Sequence, residues 1–234
     1  ILSVVANMAV LLLFIRSGHS SYDVTSIFTG KGAMLKLFPV WGAGVFTLHG
    51  ISYCMDIYRE EIEPEKNFLL VSQYICFFPC FYCGPILRFS DISEQLRKPV
   101  ITSGKLAEGI KLMLIGFAEK LFLSDPMYEM WQHIRGVSTD SLSAACAWLG
   151  IIAFSFAFYY ELRAYSHIAQ GIGSMLGFKL PDNFDLPFMS AGFNELIKRF
   201  ACTFYSWVRD YFYRPICRNK DSVCLWALIL SVLA

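Results

Sequence analysis

Two stretches of this chain place groups able to carry charge or move protons in apolar, aromatic surroundings. The first is Tyr159-Tyr160-Glu161-Leu162-Arg163-Ala164-Tyr165-Ser166-His167. The second follows the polar turn Leu180–Asp185. It runs through Lys198-Arg199-Phe200-Ala201 to Trp207-Val208-Arg209-Asp210-Tyr211. A carboxylate, guanidinium or imidazole in such surroundings must be paired or must face a wet space, because desolvating a charge is costly. Histidine has an ordinary pKa near neutrality, and a positioned base contributes typically ~10²–10⁴-fold to a proton-coupled step. Lys198 serves as a base only if desolvation strips its proton. A soluble core could hold this segment, and so could a membrane protein with a polar tunnel.

Helical spacing sets the pairing expected of these groups. Arg209 and Asp210 are adjacent, about 100° apart at 3.6 residues per turn, and are expected to find separate partners. Glu161 and Arg163, two apart, do not face each other either, so Glu161 is expected to pair with Arg199 or Arg209. Ala201 shares a helix face with Lys198, Tyr205 and Val208. Trp207, Arg209 and Asp210 read equally well as an interfacial anchor, with the indole at headgroup depth. Pro181 and Asn183 are turn formers, and the Leu180–Asp185 turn is read as structural.

The composition decides between a soluble core and a membrane. Of 234 residues, 56% are hydrophobic and only 17% charged, with a mean hydropathy of +0.47. A soluble domain is about a quarter charged and roughly 45–50% apolar. The expected class is therefore all-α: a polytopic transmembrane helical protein with broken or re-entrant segments around a central tunnel, residues 1–234 forming one membrane domain. A net charge of +1 without a basic tract argues against nucleic acid as a partner. Membrane lipid is the expected environment. The eight cysteines lie mostly in apolar runs. Cys80-Phe81-Tyr82-Cys83 matches half of a zinc or redox motif, but no second pair completes it, so no metal is expected and packing is the preferred role.

In chain order, Ile1–Ile15 is apolar and reads as the tail of a span; Val223–Ala234 opens another. The chain thus begins and ends inside apolar runs and is read as an internal piece of a longer protein. Ser17–Lys31 is a loop. Ala33–Tyr58 is a span with Pro39 and the small residues Gly42, Ala43, Gly44 and Gly50; its His49 is read as a hydrogen-bonded packing residue. Asp56–Lys66 is a charged loop. Phe68–Leu87 carries Pro79, Gly84 and Pro85 and is expected to be broken. Arg88–Lys105 is expected to be a loop, its basic excess pointing to the cytoplasm. Leu106–Leu123 is an amphipathic helix with Glu108, Lys111 and Glu119 near one face. Ser124–Ser141 is expected to be a loop, with Trp131 interfacial and His133 solvated. Ala144–Ile172 is a long helix. The total is about five to seven membrane-associated helices by span length.

Three blocks resemble the membrane-bound O-acyltransferase family, in its bacterial alginate O-acetylation branch. Gly50-Ile51-Ser52-Tyr53…Asp56-Ile57-Tyr58-Arg59 is similar to its "SISY…D.YR" run. Phe77-Phe78-Pro79…Gly84-Pro85-Ile86…Arg88 is similar to "FFP…AGPI.R". Leu176-Gly177-Phe178-Lys179-Leu180-Pro181-Asp182-Asn183-Phe184-Asp185-Leu186-Pro187-Phe188 with Ser206-Trp207-Val208-Arg209-Asp210-Tyr211-Phe212-Tyr213-Arg214-Pro215-Ile216 resembles "LGF.LP.NF..PY" followed by "SWLRDYLYIPL". Two positions depart from the pattern. The family's Arg-Arg-Trp-His aligns with Lys198, Arg199, Phe200 and Ala201, so alanine stands at the histidine position. The family's Asp-Phe-Ser-Gly-Tyr-Ser-Asp aligns with Glu161 to His167, keeping an acid at Glu161 and the pair Tyr165-Ser166, but ending in His167. A further family histidine, in a Trp-His-Gly context, falls beyond Ala234.

The resemblance implies acyl transfer from a thioester donor, acetyl-CoA or an acyl carrier, to a hydroxyl of an extracytoplasmic polysaccharide. The donor is a substrate, and no bound cofactor is implied. It also implies a bacterial inner-membrane location and a secreted partner with an esterase-like fold. His167 is the candidate substitute for the imidazole missing at Ala201. Glu161, Arg163, Tyr165, Ser166, Lys198, Arg199, Trp207, Arg209, Asp210 and Tyr211 are candidates for the tunnel or its motifs. The rival readings are an inactive relative serving as scaffold or acyl-passage channel, and a transporter; no repeated pair of broken helices favours the latter.

Overall fold

The computed structural model describes residues 43–81, 84–138 and 142–214, and these are helical throughout, without a strand. The terminal spans Ile1–Ile15 and Val223–Ala234, the loop Ser17–Lys31, Pro39 and Cys83 lie outside the described residues.

Helix α1, Ala43–Tyr58, stops where Glu60 takes a left-handed conformation, φ 61°. The amides of Glu60 and Glu61 then close onto the carbonyls of Ile57 and Asp56. Helix α2, Phe68–Ile75, starts at Asn67, whose side chain accepts from the Leu69 amide. It gives way to a 3₁₀ turn, Phe78–Cys80, with Pro79 inside it, and then to extended chain. The break expected within Phe68–Leu87 is therefore present. Leu70, Tyr74, Phe77, Cys80, Leu87, Phe89 and Ile92 form one buried cluster.

Two expected loops are helices. Helix α3, Phe89–Arg97, lies in the stretch assigned to a basic loop. Phe89 and Ile92, three apart, share its buried face, and that burial outweighs the charged residues on its outer side. Helix α5, Asp125–Arg135, occupies most of the stretch assigned to Ser124–Ser141. Pro126 in its first turn suits a helix start. Trp131 stacks against Phe154 at 4.7 Å, and Ile134 lies over Gly150. His133 is exposed, as expected.

Helix α4, Ser103–Ala118, begins at the Thr102 cap and runs through a π-helical turn, Glu119–Ser124, into α5. This rod lies antiparallel along helix α6, Ala144–Met175. The register is fixed by backbone contact. A Cβ on Gly109 would stand 2.6 Å from the Gly171 carbonyl oxygen, and one on Gly116 would stand 2.7 Å from that of Ala164. Both distances are too short for any side chain, so these helices meet backbone to backbone. α6 ends at Gly177, φ 91°, whose left-handed backbone returns the Phe178 amide to the Gly173 carbonyl.

At 32 residues α6 is about 48 Å long, more than the ~30 Å hydrocarbon core of a bilayer. It is the one described helix long and apolar enough to cross a membrane. Trp148, Ile151, Ile152 and Phe154 on α6, and Leu114, Leu121 and Phe122 on the facing rod, are exposed. An apolar surface of this extent is unusual for a protein solvated only by water.

After α6 the chain loops through Leu180–Ser190, including a 3₁₀ turn at Pro187–Met189. Two short helices follow: α7, Phe193–Phe200, and α8, Cys202–Val208. A second π-helical turn, Arg209–Tyr213, completes the described chain.

Candidate functional site

The charged residues collect into two clusters. The first lies between α6 and the rod at the π-helical turn. Successive residues Glu119 and Lys120 both reach α6 there. The Lys120 ammonium donates to both Glu161 oxygens at 2.9 and 2.7 Å and to Asp125 at 2.7 Å. The Ser124 hydroxyl is 2.7 Å from Glu161 and 3.1 Å from the Ala157 carbonyl. Glu119, buried, takes Arg163 Nε at 3.4 Å and His167 Nδ1 at 2.8 Å. A carboxylate only accepts, so Nδ1 carries the proton and Nε2 is the ring nitrogen left with a lone pair. Arg163 also lies 5.9 Å from the Tyr159 ring centre, and Lys120 lies 5.9 Å from that of Tyr165. Ser166 is buried, its hydroxyl without a hydrogen-bond partner among the described residues.

The second cluster forms where α1, the extended segment before α3, and the second π-helical turn meet. Asp210, its side chain 6% exposed, accepts from Arg209 Nε at 2.9 Å and from Arg88, and Arg214 Nε lies 3.3 Å away. Arg59 donates to the Asp210 backbone carbonyl at 2.9 Å. The buried Tyr211 hydroxyl is 2.7 Å from Asp56, with the guanidinium carbons of Arg59 and Arg88 5.4 and 5.7 Å from its ring centre. Trp207 is 2% exposed and packs against Ile51 and Tyr211.

A short strap positions this second cluster. The Asn183 side-chain oxygen accepts from the Thr203 hydroxyl at 2.6 Å, and the Asn183 carbonyl accepts from the Cys202 amide at 2.8 Å. Thr203 in turn accepts the Ile86 amide at 3.1 Å. The Asp185 amide donates to the Arg199 carbonyl at 2.9 Å. The Leu180–Asp185 turn is thus structural in the expected sense, holding both the lead into α8 and the segment that carries Arg88.

Several expectations are corrected here. Ala201 is not on a continuous helix with Lys198, Tyr205 and Val208: at φ −150°, ψ 73° it breaks the chain between α7 and α8, held by the strap on either side. Arg209 and Asp210 do pair, because the long guanidinium side chain folds back in a turn wound wider than an α-helix. Glu161 pairs with Lys120 rather than with Arg199 or Arg209. Arg199 is taken by Glu195, four residues back at 2.7 Å, and Lys198 is exposed. Trp207 is buried core rather than an anchor at headgroup depth. Glu161 and Arg163 belong to one cluster and Arg209 to another, so these groups do not converge on a single point. Of the trio expected on one face of Leu106–Leu123, only Glu119, in the π-helical turn, is buried; Glu108 and Lys111 on α4 are exposed.

His167 and Ala201 are separated along the fold. Phe200 packs at the level of Tyr159, their ring centres 6.0 Å apart. His167 stands eight residues farther along α6, about 12 Å along its axis. His49 is fully buried, stacked on Tyr74 at 4.9 Å, with Nε2 accepting the Leu87 amide at 3.3 Å. Sequence reasoning missed the parts played by Glu119, Lys120, Arg59 and Arg88. A carboxylate and an ammonium adjacent in an otherwise apolar helix were the available signal for the first two. The histidines, cysteines and carboxylates of the described residues form no group that could hold a metal ion.

The model of the MBOAT family, the membrane-bound O-acyltransferases, matches residues 63–233. The chain is 30% identical over 227 residues to the probable alginate O-acetylase AlgI of Pseudomonas aeruginosa, covering 95% of this chain and 43% of that protein. It is 24% identical over 250 residues to the peptidoglycan O-acetyltransferase of Helicobacter pylori, covering 94% and 47%. It is 26% identical over 197 residues to the teichoic acid D-alanyltransferase of Streptococcus thermophilus, covering 79% and 47%. The chain spans just under half the length of these relatives.

Proposed function

The chain belongs to the membrane-bound O-acyltransferase family, and from that membership we propose that the protein transfers an acetyl group from a thioester donor to a hydroxyl of an extracytoplasmic polysaccharide. The observation that carries this reading is the likeness, over 95% of the chain, to an alginate O-acetylase. The peptidoglycan O-acetyltransferase points to the same acceptor class. The proposed setting is a polytopic protein of the bacterial inner membrane whose helices surround a tunnel, donor and acceptor arriving from opposite sides. The proposed donor is acetyl-CoA or an acyl carrier. In the alternative route the acetyl group is handed to a secreted partner of esterase-like fold, which passes it to the polymer.

The chemistry asks for a base and for oxyanion donors. The acceptor oxygen attacks the thioester carbonyl carbon as its proton leaves to the base. The tetrahedral intermediate then collapses, the C–S bond breaks, and the departing sulfur takes the proton. His167 is the proposed base. Glu119 supports the assignment by holding Nδ1 and so leaving Nε2 as the basic nitrogen, in the way a carboxylate orients a catalytic imidazole.

Ala201 supports a second reading, an inactive relative that serves as a scaffold or acyl passage. Polymer O-acetylation measured in a strain lacking the native gene separates the two. Complementation by the unmodified protein, lost in His167→Gln, is the expected result. Activity gained only on Ala201→His would show a decayed enzyme, and full activity in His167→Gln would remove His167 from the mechanism.

A further inference from the structure

We infer that Arg59, Arg88, Arg209 and Arg214 form a cradle for a phosphate group carried by a ligand from outside the chain. These side chains come from three separate parts of the sequence and meet around one buried carboxylate, Asp210. Each guanidinium has five N–H donors, whereas an ionised carboxylate offers about four acceptor positions. The acceptors they reach among the described residues are the Asp210 carboxylate, its backbone carbonyl and Glu61, 3.9 Å from Arg59. Asp56 accepts from the Tyr211 hydroxyl and also lies in the field of Arg59 and Arg88, and Asp91 on α3 lies in that of Arg88. Neither of these two, nor Glu61, is in contact with Arg209 or Arg214. Donors therefore outnumber these acceptors about two to one.

The surplus is accessible. Arg209 is 45% exposed and Arg214 66%, while Arg59 and Arg88 are partly covered at 23% and 33%. Asp210 and the Tyr211 ring hold these side chains from the inside. A carboxylate ligand has two oxygens to offer. A phosphate ester offers two or three with full negative charge, matched to several planar forks at once. The source is either a lipid headgroup or a soluble phosphate ester. The soluble-ester source rests on the acyl-transfer proposal, whose thioester donor carries phosphate; the headgroup source does not.

The test uses the full-length protein purified in neutral detergent and phosphate-free buffer. Inorganic pyrophosphate is titrated calorimetrically. In parallel, the protein is placed in nanodiscs of phosphatidylcholine with and without phosphatidic acid, and the lipid retained on extraction is counted by native mass spectrometry. Saturable binding of at least one probe is expected, weakened roughly tenfold or more by Arg59→Gln or Arg214→Gln and by added salt. Arg135→Gln, beside Trp131 on α5, leaves it unchanged. Glu61→Gln removes an acceptor while sparing every guanidinium and should tighten binding, which keeps the test decisive if an arginine variant misfolds. Pyrophosphate binding alone assigns a soluble phosphate ester and phosphatidic acid retention alone a headgroup; if both bind, the tighter names the source. Binding of neither probe, or binding unchanged in both arginine variants and in Glu61→Gln, overturns the inference. Acetylation is measured separately, so its loss or survival leaves this result intact.

Discussion

Thr203→Val tests whether the strap around Ala201 holds the second cluster together. Valine keeps the shape of threonine and deletes only the hydroxyl. That hydroxyl donates to Asn183 at 2.6 Å and accepts the Ile86 amide at 3.1 Å, in a site where Thr203 is 8% and Asn183 9% exposed. Without it the Ile86 amide loses its acceptor, and Asn183 keeps only the Thr203 amide at 3.4 Å. A buried polar group left without a partner costs about 1–3 kcal/mol. With one group orphaned and the other weakened, the expected loss is about 2–4 kcal/mol. At ~2–4 °C per kcal/mol for a chain of this size, the midpoint should fall on the order of 5–15 °C. Thr203→Ser keeps the hydroxyl and gives up one methyl, about 1 kcal/mol. The assay is thermal unfolding of the purified protein in detergent, followed by tryptophan fluorescence, with polymer acetylation measured alongside. Ile86 precedes Arg88 by two residues and Thr203 precedes Asp210 by seven, so acetylation should drop in the valine variant as the Arg88–Asp210 contact loosens. The reasoning is refuted if the valine variant melts at or above the serine variant, because packing rather than hydrogen bonding would then hold the strap.

Lys120→Met strips Glu161 of its cation and leaves a partly buried carboxylate with only neutral hydroxyl partners, Ser124 and Tyr165; a loss of about 1–3 kcal/mol is expected, partly recovered by Lys120→Arg, and chemical denaturation in detergent reads it. Gly116→Val drives a side chain into the Ala164 carbonyl and Ile168, and overpacking of this kind costs about 1–3 kcal/mol; the variant should unfold at lower temperature, whereas Gly104→Ala, whose Cβ would meet only Thr102 Oγ1 at 4.0 Å, should not. The Glu65 carboxyl is held below its ordinary value of 4.5, chiefly by the Asn67 amide and then by Arg97. A depressed folded-state pKa contributes stability above 4.5 and loses it as pH falls through the lower folded value. Glu65→Gln should therefore melt below the unmodified protein at pH 7, and the two curves should merge in strong acid; a constant gap across that window would contradict the assignment.

The all-helical class was legible from composition and apolar run lengths, because a segment that must satisfy its own backbone in an apolar medium has few alternatives to a helix. The break at Pro79 was legible too, since proline withdraws a donor wherever it stands. The family was legible in the ordered blocks from Gly50 to Ile216. The helices α3 and α5 were hidden because charged and polar residues dominate their local composition, while a small inner face decides the structure: buried Phe89 and Ile92 on α3, and the partly covered Trp131 and Ile134, which meet α6, on α5.

The partners of the charges were a matter of tertiary structure alone. Spacing along one helix says which residues share a face, not which distant chain arrives there. Lys120 reached Glu161 because Gly109 and Gly116 let the rod lie backbone to backbone on α6 and fixed its register. Arg59 and Arg88 reached Asp210 because the Asn183–Thr203–Ile86 strap ties together segments separated by about a hundred residues. The sequence determined that each charge buried in so apolar a chain had to find a partner, since desolvation is costly. Which group neutralised it was settled by long-range packing, a property that no local spacing contains.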